Sequence, residues 1–241
     1  MIPALRQAYN QSFTKEQYDT FLANLNAVHP GGIEFRVAET PIFVPKDFKD
    51  KILDACEAIV DIITDPGFKN LTRNAIPKEL SVPGENEHTH FIAFDFGICI
   101  NEAGEYEPQL IEMQGFPTLF AYEVLIDEIF RKTHPVPDGF SAYLGGHDKE
   151  SYIQLLREII VGTHDPAEVI LLEIFPHQQK TKIDFYCTQD YLGIRPVCIT
   201  ELIREGNQLY YLRDGVKTRI RRIYNRVIFD DLQQQTAEVQ E

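Results

Sequence analysis

The chain contains few basic residues for its length. Its 241 residues include 23 Lys and Arg against 37 Asp and Glu, which gives a net charge of −14 at pH 7. A general nucleic-acid-binding protein needs a basic face that displaces counterions from the phosphate backbone. The composition therefore argues against that class, and we expect no nucleic-acid partner. An acidic balance would suit a cationic amine as substrate, although bulk charge identifies none.

Export and membrane signals are also lacking. The N-terminal residues carry no apolar signal segment, and no apolar run approaches the length of a membrane span. Cys56, Cys99, Cys187 and Cys198 have no spacing typical of a metal site. We therefore expect a cytoplasmic protein with no membrane partner, whose thiols are reduced and mostly buried.

Neither of the common phosphate-binding fingerprints is present. The turn after the apolar run 168–174 reads Phe-Pro-His-Gln-Gln-Lys, without GxGxxG or GxxxxGK[ST]. This turn is nevertheless a candidate to line a ligand site, because ligands of parallel sheets bind at the carboxyl ends of the strands.

Hydrophobic periodicity predicts an α/β fold in two parts. Helices are predicted over 4–29, 46–64, 68–73 and 118–132, and a strand is predicted over 33–38. Ser12 or Thr14 could cap the second part of the first helix, and Pro117 is suited to the first turn of the helix at 118. Beyond a Pro- and Gly-rich segment at 133–148, a helix at 151–161 precedes a strand–helix–strand crossover at 168–174, 181–192 and 196–200. We therefore predict an α+β lobe over 1–138, a small parallel α/β domain over 148–232 and a polar tail over 233–241.

A hairpin is predicted within residues 91–117. The first strand alternates apolar residues with a polar face that includes Asp95. The second strand places Ile111 and Met113 on one face, and Leu110, Glu112 and Gln114 on the other.

A register that sets Asp95 opposite Glu112 would gather two carboxylates and the amide of Gln114. This all-oxygen set suits Mg²⁺, a hard cation that prefers carboxylates, water and phosphate. The alternative is a half-exposed hairpin whose polar residues simply face water.

Basic residues are concentrated near the end of the chain. On one predicted strand over 216–229, Lys217, Arg219 and Arg221 share a face, and Arg222 and Arg226 share the other. Two interpretations remain open, a charged edge strand and a clamp for phosphate or carboxylate.

Histidines near the hairpin allow a different metal site. His88 and His90, with Asp95 five residues further on, are similar to the histidine pair and carboxylate of metal-binding cupin barrels. Such ligands would suit Zn²⁺ or Fe²⁺. The acid and flanking glycines depart from that pattern, and the chain's helical periodicity argues against an all-strand barrel.

The order of these parts resembles the circularly permuted ATP-grasp proteins, the group that includes glutathionylspermidine synthetase-like enzymes. Three segments carry the resemblance: the strand-like residues 35–43, Asp95 followed across a turn by residues 110–117, and residues 209–232. The resemblance implies an ATP-grasp-like lobe followed by a Rossmann-like pre-ATP-grasp domain.

The resemblance also implies a reaction. Such enzymes use ATP and Mg²⁺ to join a small-molecule carboxylate to an amine through an acyl phosphate. Asp95, Glu112 and Gln114 would be metal ligands, with Gln114 in place of an asparagine, and Arg73 and Arg226 would contact anions.

The chain departs from the family pattern in two further respects. Ala93 stands where a basic residue often precedes the first acid, and the chain ends about a dozen residues after Arg226, before the lobe that covers the nucleotide. We therefore expect either part of a longer ligase or a reduced, non-catalytic relative that acts as a binding or assembly module. The sequence does not indicate the oligomeric state.

Overall fold

A computed structural model describes residues 2–86 and 89–240. Contacts divide the chain into two compact units, Met1–Ser12 with Thr40–Pro117, and Phe13–Glu39 with Thr118–Glu241. The predicted division at 138–148 differs, since it falls inside the second unit. Residues 13–39 and 118–138 share an apolar core with the helix after the first parallel strand, and periodicity along the chain does not reveal such a long-range contact.

The described residues form helices and strands in the following order. The helices are α1 (Pro3–Ser12), α2 (Lys15–Val28), α3 (Lys46–Ile63), α4 (Phe68–Thr72), α5 (Tyr122–Thr133), α6 (Lys149–Ile160), α7 (Lys182–Leu192), α8 (Phe229–Gln233) and α9 (Ala237–Gln240). The strands are β1 (Ala93–Ile100), β2 (Tyr106–Gln114), β3 (Val169–Glu173), β4 (Arg195–Cys198), β5 (Ile203–Glu205), β6 (Gln208–Arg213), β7 (Val216–Ile220) and β8 (Arg222–Asn225). The predicted α/β class, with an antiparallel hairpin and a parallel unit, is confirmed.

Within the first unit, α3 packs against β2 of the hairpin. Apolar residues recur along α3 at intervals of three and four, and its buried Phe48 meets Tyr106 of β2 at a ring-centroid distance of 6.1 Å. Tyr9 and Phe43 form a second buried contact at 6.4 Å.

The hairpin has the predicted register at its polar end. Asp95 pairs with Glu112, but Phe96 pairs with Leu110, so Ile111 is an extra residue in a β-bulge. The predicted faces of β2 are therefore wrong at two positions. Leu110 lies with Phe96 on the apolar face, and Ile111 is 70% exposed.

The bulge resolves a conflict in the pattern of β2. Apolar residues alternate at positions 106, 108 and 110, and the alternation then moves by one position to Ile111 and Met113. A regular strand would place one of these two sets on the polar face, because side chains alternate along a strand. The extra residue keeps Tyr106 to Leu110 in phase with Met113 on the apolar face.

A three-stranded parallel sheet lies in the second unit. Its order is β4-β3-β8, and the predicted crossover β3–α7–β4 is confirmed. All five residues of β3 are buried, as expected for a strand covered on both faces. Gly193, in the left-handed conformation, ends α7 as predicted.

The predicted basic strand is divided between two sheets. Val216–Ile220 is β7, an edge of the antiparallel sheet β5-β6-β7, whereas Arg222–Asn225 is β8 of the parallel sheet. Arg221 marks the break, where its backbone N–H donates to the Glu168 carbonyl at 2.8 Å. Lys217 and Arg219 therefore belong to a charged edge strand, and Lys217 forms an ion pair with Glu205.

Two local predictions near the unit boundaries are wrong. Residues 33–38 form no strand, because Val37 packs into a helical core and its carbonyl accepts from the Tyr18 hydroxyl. Pro117 does not start a helix, since α5 begins at Tyr122 after Leu119, whose φ is 75°. The predicted polar tail contains the short helix α9.

Two other expectations concern cysteines and membranes. The four cysteines are free, with Cys187 and Cys198 buried, Cys56 half-buried and Cys99 exposed. None of the helices in the described ranges has the length and apolar content required to cross a bilayer.

A buried carboxylate organises the helices of the second unit. Asp184 of α7 is 1% exposed and accepts hydrogen bonds from the Ala121 and Tyr122 backbone N–H groups at 2.9 and 3.0 Å, and from the Thr118 hydroxyl at 3.2 Å. Burial raises the pKa of this carboxyl, and the hydrogen bonds partly oppose that shift. Ala121 cannot cap α5 with its own side chain, so Asp184 performs that role from another helix.

We predict that Asp184→Asn lowers the free energy of unfolding by about 2 kcal/mol or more, because it replaces an acceptor of three hydrogen bonds with a group that also donates. Asp190→Asn is the matched control on the same helix, where the carboxylate is about half exposed and pairs with His29. Its effect should stay below about 1 kcal/mol. Urea unfolding measures both variants, and equal losses would contradict the capping role.

Candidate functional site

The predicted metal-ligand residues lie together on the polar face of the hairpin. Gln114 donates its Nε2 hydrogens to Asp95 Oδ2 at 3.0 Å and to Glu112 Oε1 at 2.9 Å. Asp95 and Glu112 are exposed and Gln114 is half-buried. The structure therefore brings all three predicted side chains into one cluster, whose binding of a metal remains a prediction.

The chemistry of this cluster fits Mg²⁺ in part. Two carboxylates face one another, and an amide lies beside them, which are oxygen donors that Mg²⁺ accepts together with water. No three His, Cys, Asp or Glu side chains are arranged as metal ligands within the described ranges. A third protein oxygen would have to come from Gln114, which here presents nitrogen to both carboxylates.

The alternative metal site and the first predicted arginine fall outside this cluster. His88 lies outside the described residues, so the proposed histidine pair stays a prediction, and His90 is exposed. Arg73 follows α4 in the first unit, where it is exposed and forms no ion pair with any other described residue. The structure does not place Arg73 beside a partner for the proposed anion contact.

Arg226 lies at the carboxyl edge of the parallel sheet in the second unit. It directly follows β8, its backbone N–H donates to the Leu172 carbonyl at 2.8 Å, and only 7% of the residue is exposed. Its guanidinium lies 5.7 Å from the centroid of the Tyr224 ring. A buried guanidinium at this edge is suited to an anionic ligand group.

Glu173 ends the neighbouring strand β3 and is 9% exposed. Its Oε1 accepts a hydrogen bond from the Ile174 backbone N–H at 2.7 Å. Burial raises the pKa of Glu173 to about 7, although the Ile174 N–H and the charge of Arg226 oppose the shift. A buried carboxyl that titrates near neutrality, close to a buried cation, is typical of a functional site.

The chain turns sharply after Glu173. Phe175 adopts a left-handed conformation with φ 46°, which is unfavourable for a residue with a side chain, and the residue is 39% exposed. Its backbone N–H donates to Cys198 Sγ at 3.3 Å, and the Thr200 hydroxyl donates to the same sulfur at 3.1 Å. The ends of β3, β4 and β8 therefore meet in one strained, polar edge.

This edge has the position that open parallel sheets use for ligands. β3 lies in the centre, with β4 on one side and β8 on the other, so the order in which the strands are added reverses at β3. Sequence reasoning identified the turn 175–180 and Arg226 but missed Glu173. An acidic residue inside the apolar run Val-Ile-Leu-Leu-Glu-Ile was the signal.

A separate groove of about 420 Å³ lies beside α1 in the first unit. The groove is lined by Pro3, Arg6, Gln7, Asn10, Gln11 and Tyr106. None of these is a predicted site residue. The one charged group there, Arg6, donates to the Pro41 carbonyl at 3.3 Å. We assign no function to this groove.

Comparisons with known proteins identify a similarity of fold to a solved structure. No family model matches the chain, and no curated protein matches it. Among solved structures, the chain is similar to a glutathione synthetase-like effector from Globodera pallida in its apo form, with a TM-score of 0.52 and 12% identity. The match covers 91% of this chain and 59% of that chain, so this chain spans less than two thirds of the effector's length. At this identity the likeness concerns the fold alone.

We predict that Glu173 makes stability depend on pH. Its carboxyl has a pKa of about 7 in the folded chain and about 4.5 when unfolded. Between these values the folded state holds a proton that the unfolded state releases, so the free energy of unfolding falls as the pH rises through this window. Glu173→Gln should remove this contribution.

Urea unfolding at pH 5 and pH 8 measures the difference. The wild type should lose more stability than Glu173→Gln over this interval, whereas Glu158→Gln, at an exposed position on α6, should behave as the wild type. An identical loss in all three proteins would exclude a buried, proton-holding Glu173.

Proposed function

We propose that this chain is part of an ATP-dependent, Mg²⁺-requiring carboxylate–amine ligase of the ATP-grasp type, which acts through an acyl phosphate. The observation that carries the proposal is the cluster of Asp95, Glu112 and Gln114 on one face of the hairpin. It occurs in a chain whose fold is similar to that of a glutathione synthetase-like effector.

The hairpin is the proposed metal site. Asp95 and Glu112 would hold Mg²⁺ through their carboxylates, and Gln114 would add an oxygen once its amide turns. The bound ion would neutralise phosphate charge during phosphoryl transfer. The exposed hairpin face leaves both carboxylates accessible to a metal–nucleotide complex.

The carboxyl edge of the parallel sheet is the proposed substrate site. Arg226 would contact the anionic group of a small-molecule carboxylate, and Glu173 would face the cationic amine. Their burial strengthens both interactions, because a site with little water screens charge weakly. Arg73, which is exposed in the first unit, is proposed as a further anion contact.

The nucleotide-covering part of such an enzyme is not identified in this chain. The described units account for 59% of the effector's chain in the structural match. The complete reaction and its substrate pair are therefore proposals about the protein to which these units contribute.

A second function, a non-catalytic binding or assembly module, is favoured by one observation. The two hairpin carboxylates are already hydrogen-bonded to Gln114, and Ala93 supplies no cation beside them. A reduced relative of this kind would retain the fold without needing a metal. The two functions differ in whether the chain binds Mg²⁺ at the hairpin.

We predict that Glu112→Ala weakens Mg²⁺ binding by about tenfold or more, because it removes one of two charged ligands. Isothermal titration calorimetry of the whole chain measures the affinity. Glu107→Ala is the matched control, since Glu107 is exposed on the same strand and pairs with Cys99 away from the cluster.

The control should bind as the wild type does, and both variants should remain folded at the temperature of the titration. Binding that is equal in Glu112→Ala and Glu107→Ala would remove the hairpin as the metal site. If the wild type binds no Mg²⁺, the binding-module function takes precedence.

A further inference from the structure

Gln114 contacts the carboxylates of Asp95 and Glu112 through its amide nitrogen, whereas a metal ligand would use its amide oxygen. Its single NH₂ group donates one hydrogen to Asp95 and the other to Glu112, so both of its donors are used. The amide oxygen, which is bonded to the same carbon as this nitrogen, makes neither of these two contacts. In this arrangement Gln114 stands where a cation would sit between the acids.

The electrostatics of the hairpin explain this orientation. Asp95 and Glu112 are paired across the strands, and no Lys, Arg or His among the described residues forms an ion pair with either. Like charges directly opposite one another destabilise a sheet. If the amide were turned over, its oxygen would face both anions, so hydrogen bonding selects the nitrogen.

The length of the side chain makes the bridge possible. Gln114 pairs with Ala93, so it lies two residues from Glu112 on one strand and diagonally across from Asp95 on the other. Such diagonal neighbours are separated by roughly 7–8 Å. Glutamine spans this distance, whereas asparagine is one methylene shorter.

We propose that Gln114 sets the metal affinity of the hairpin by holding the two carboxylates through its amide nitrogen, so that Mg²⁺ binds only when this amide rotates and both hydrogen bonds break. The inference rests on the proposed Mg²⁺ site. Gln114 is thus a positioning residue with two states. In one its nitrogen bridges the acids, and in the other its oxygen would be available to a bound cation.

The first arm of the test examines the bridge without metal. In EDTA, Gln114→Met keeps a side chain of similar length but removes the amide, so the unfolding temperature of the whole chain should fall by about 2–4 °C. Gln109→Met is the control, because Gln109 is exposed on the same strand and pairs with Gly97. Equal unfolding temperatures for the two variants would overturn the bridge.

The second arm measures Mg²⁺ binding by calorimetry. Gln114→Asn cannot span both acids but retains an amide oxygen, and it should bind Mg²⁺ at least about threefold more tightly than the wild type. Gln109→Asn should leave the affinity unchanged. An affinity of Gln114→Asn equal to or below that of the wild type would overturn the proposal.

The two arms separate this inference from the proposed function. The unfolding temperature of Gln114→Met in EDTA could fall while neither the wild type nor Gln114→Asn binds Mg²⁺. That result would refute the metal site and its control by Gln114, and would leave the bridge. Alternatively, Glu112→Ala could lose Mg²⁺ binding while Gln114→Met unfolds in EDTA at the same temperature as its control. That result would refute the bridge and leave the metal site.

Discussion

The hairpin depends on one irregularity, the bulge at Ile111. With it, Tyr106, Leu110 and Met113 share the face of β2 that contacts α3 at Tyr106. The carboxylates of Asp95 and Glu112 lie opposite one another on the other face. Without the extra residue, the side chains of β2 on one side of Ile111 would point to the opposite face of the hairpin, because a shift of one position exchanges the faces of a strand. The geometry of the polar cluster and the packing of the first unit therefore share a cause.

The second unit concentrates a different chemistry at the end of its parallel sheet. Burying Glu173 and Arg226 together lets each charge oppose the cost of burying the other, which isolated charges in such a position could not do. The strained turn at Phe175 and the hydrogen-bonded Cys198 keep the strand ends in place. The hairpin carries two exposed carboxylates and an amide, and the sheet edge carries a buried carboxyl and a buried guanidinium.

Much of this arrangement was predictable from local patterns. The periodicity of α3, the crossover β3–α7–β4 and the register of Asp95 with Glu112 each depend on residues close in sequence, and each was predicted. The bulge was not, although the phase change between Leu110 and Ile111 records it. A break in alternation is a usable signal when both sets of apolar residues must face one core.

Long-range contacts explain what sequence reasoning missed. Asp184 caps a helix more than sixty residues away, and no local pattern reveals its partner. The single predicted strand over 216–229 became two strands because each half pairs with a different sheet, and β-structure follows the available partners more than intrinsic preference. The burial of Glu173 likewise depends on β4 and β8, which lie beyond its own segment.

The most direct test of the account is anomalous diffraction from crystals of the whole chain grown with Mn²⁺, which replaces Mg²⁺ at oxygen sites. We predict one strong peak within about 2.5 Å of carboxylate oxygens from both Asp95 and Glu112, with the Gln114 amide turned so that its oxygen faces the ion. A hairpin without a peak at saturating Mn²⁺, with Gln114 nitrogen still between the two acids, would contradict the proposed metal site.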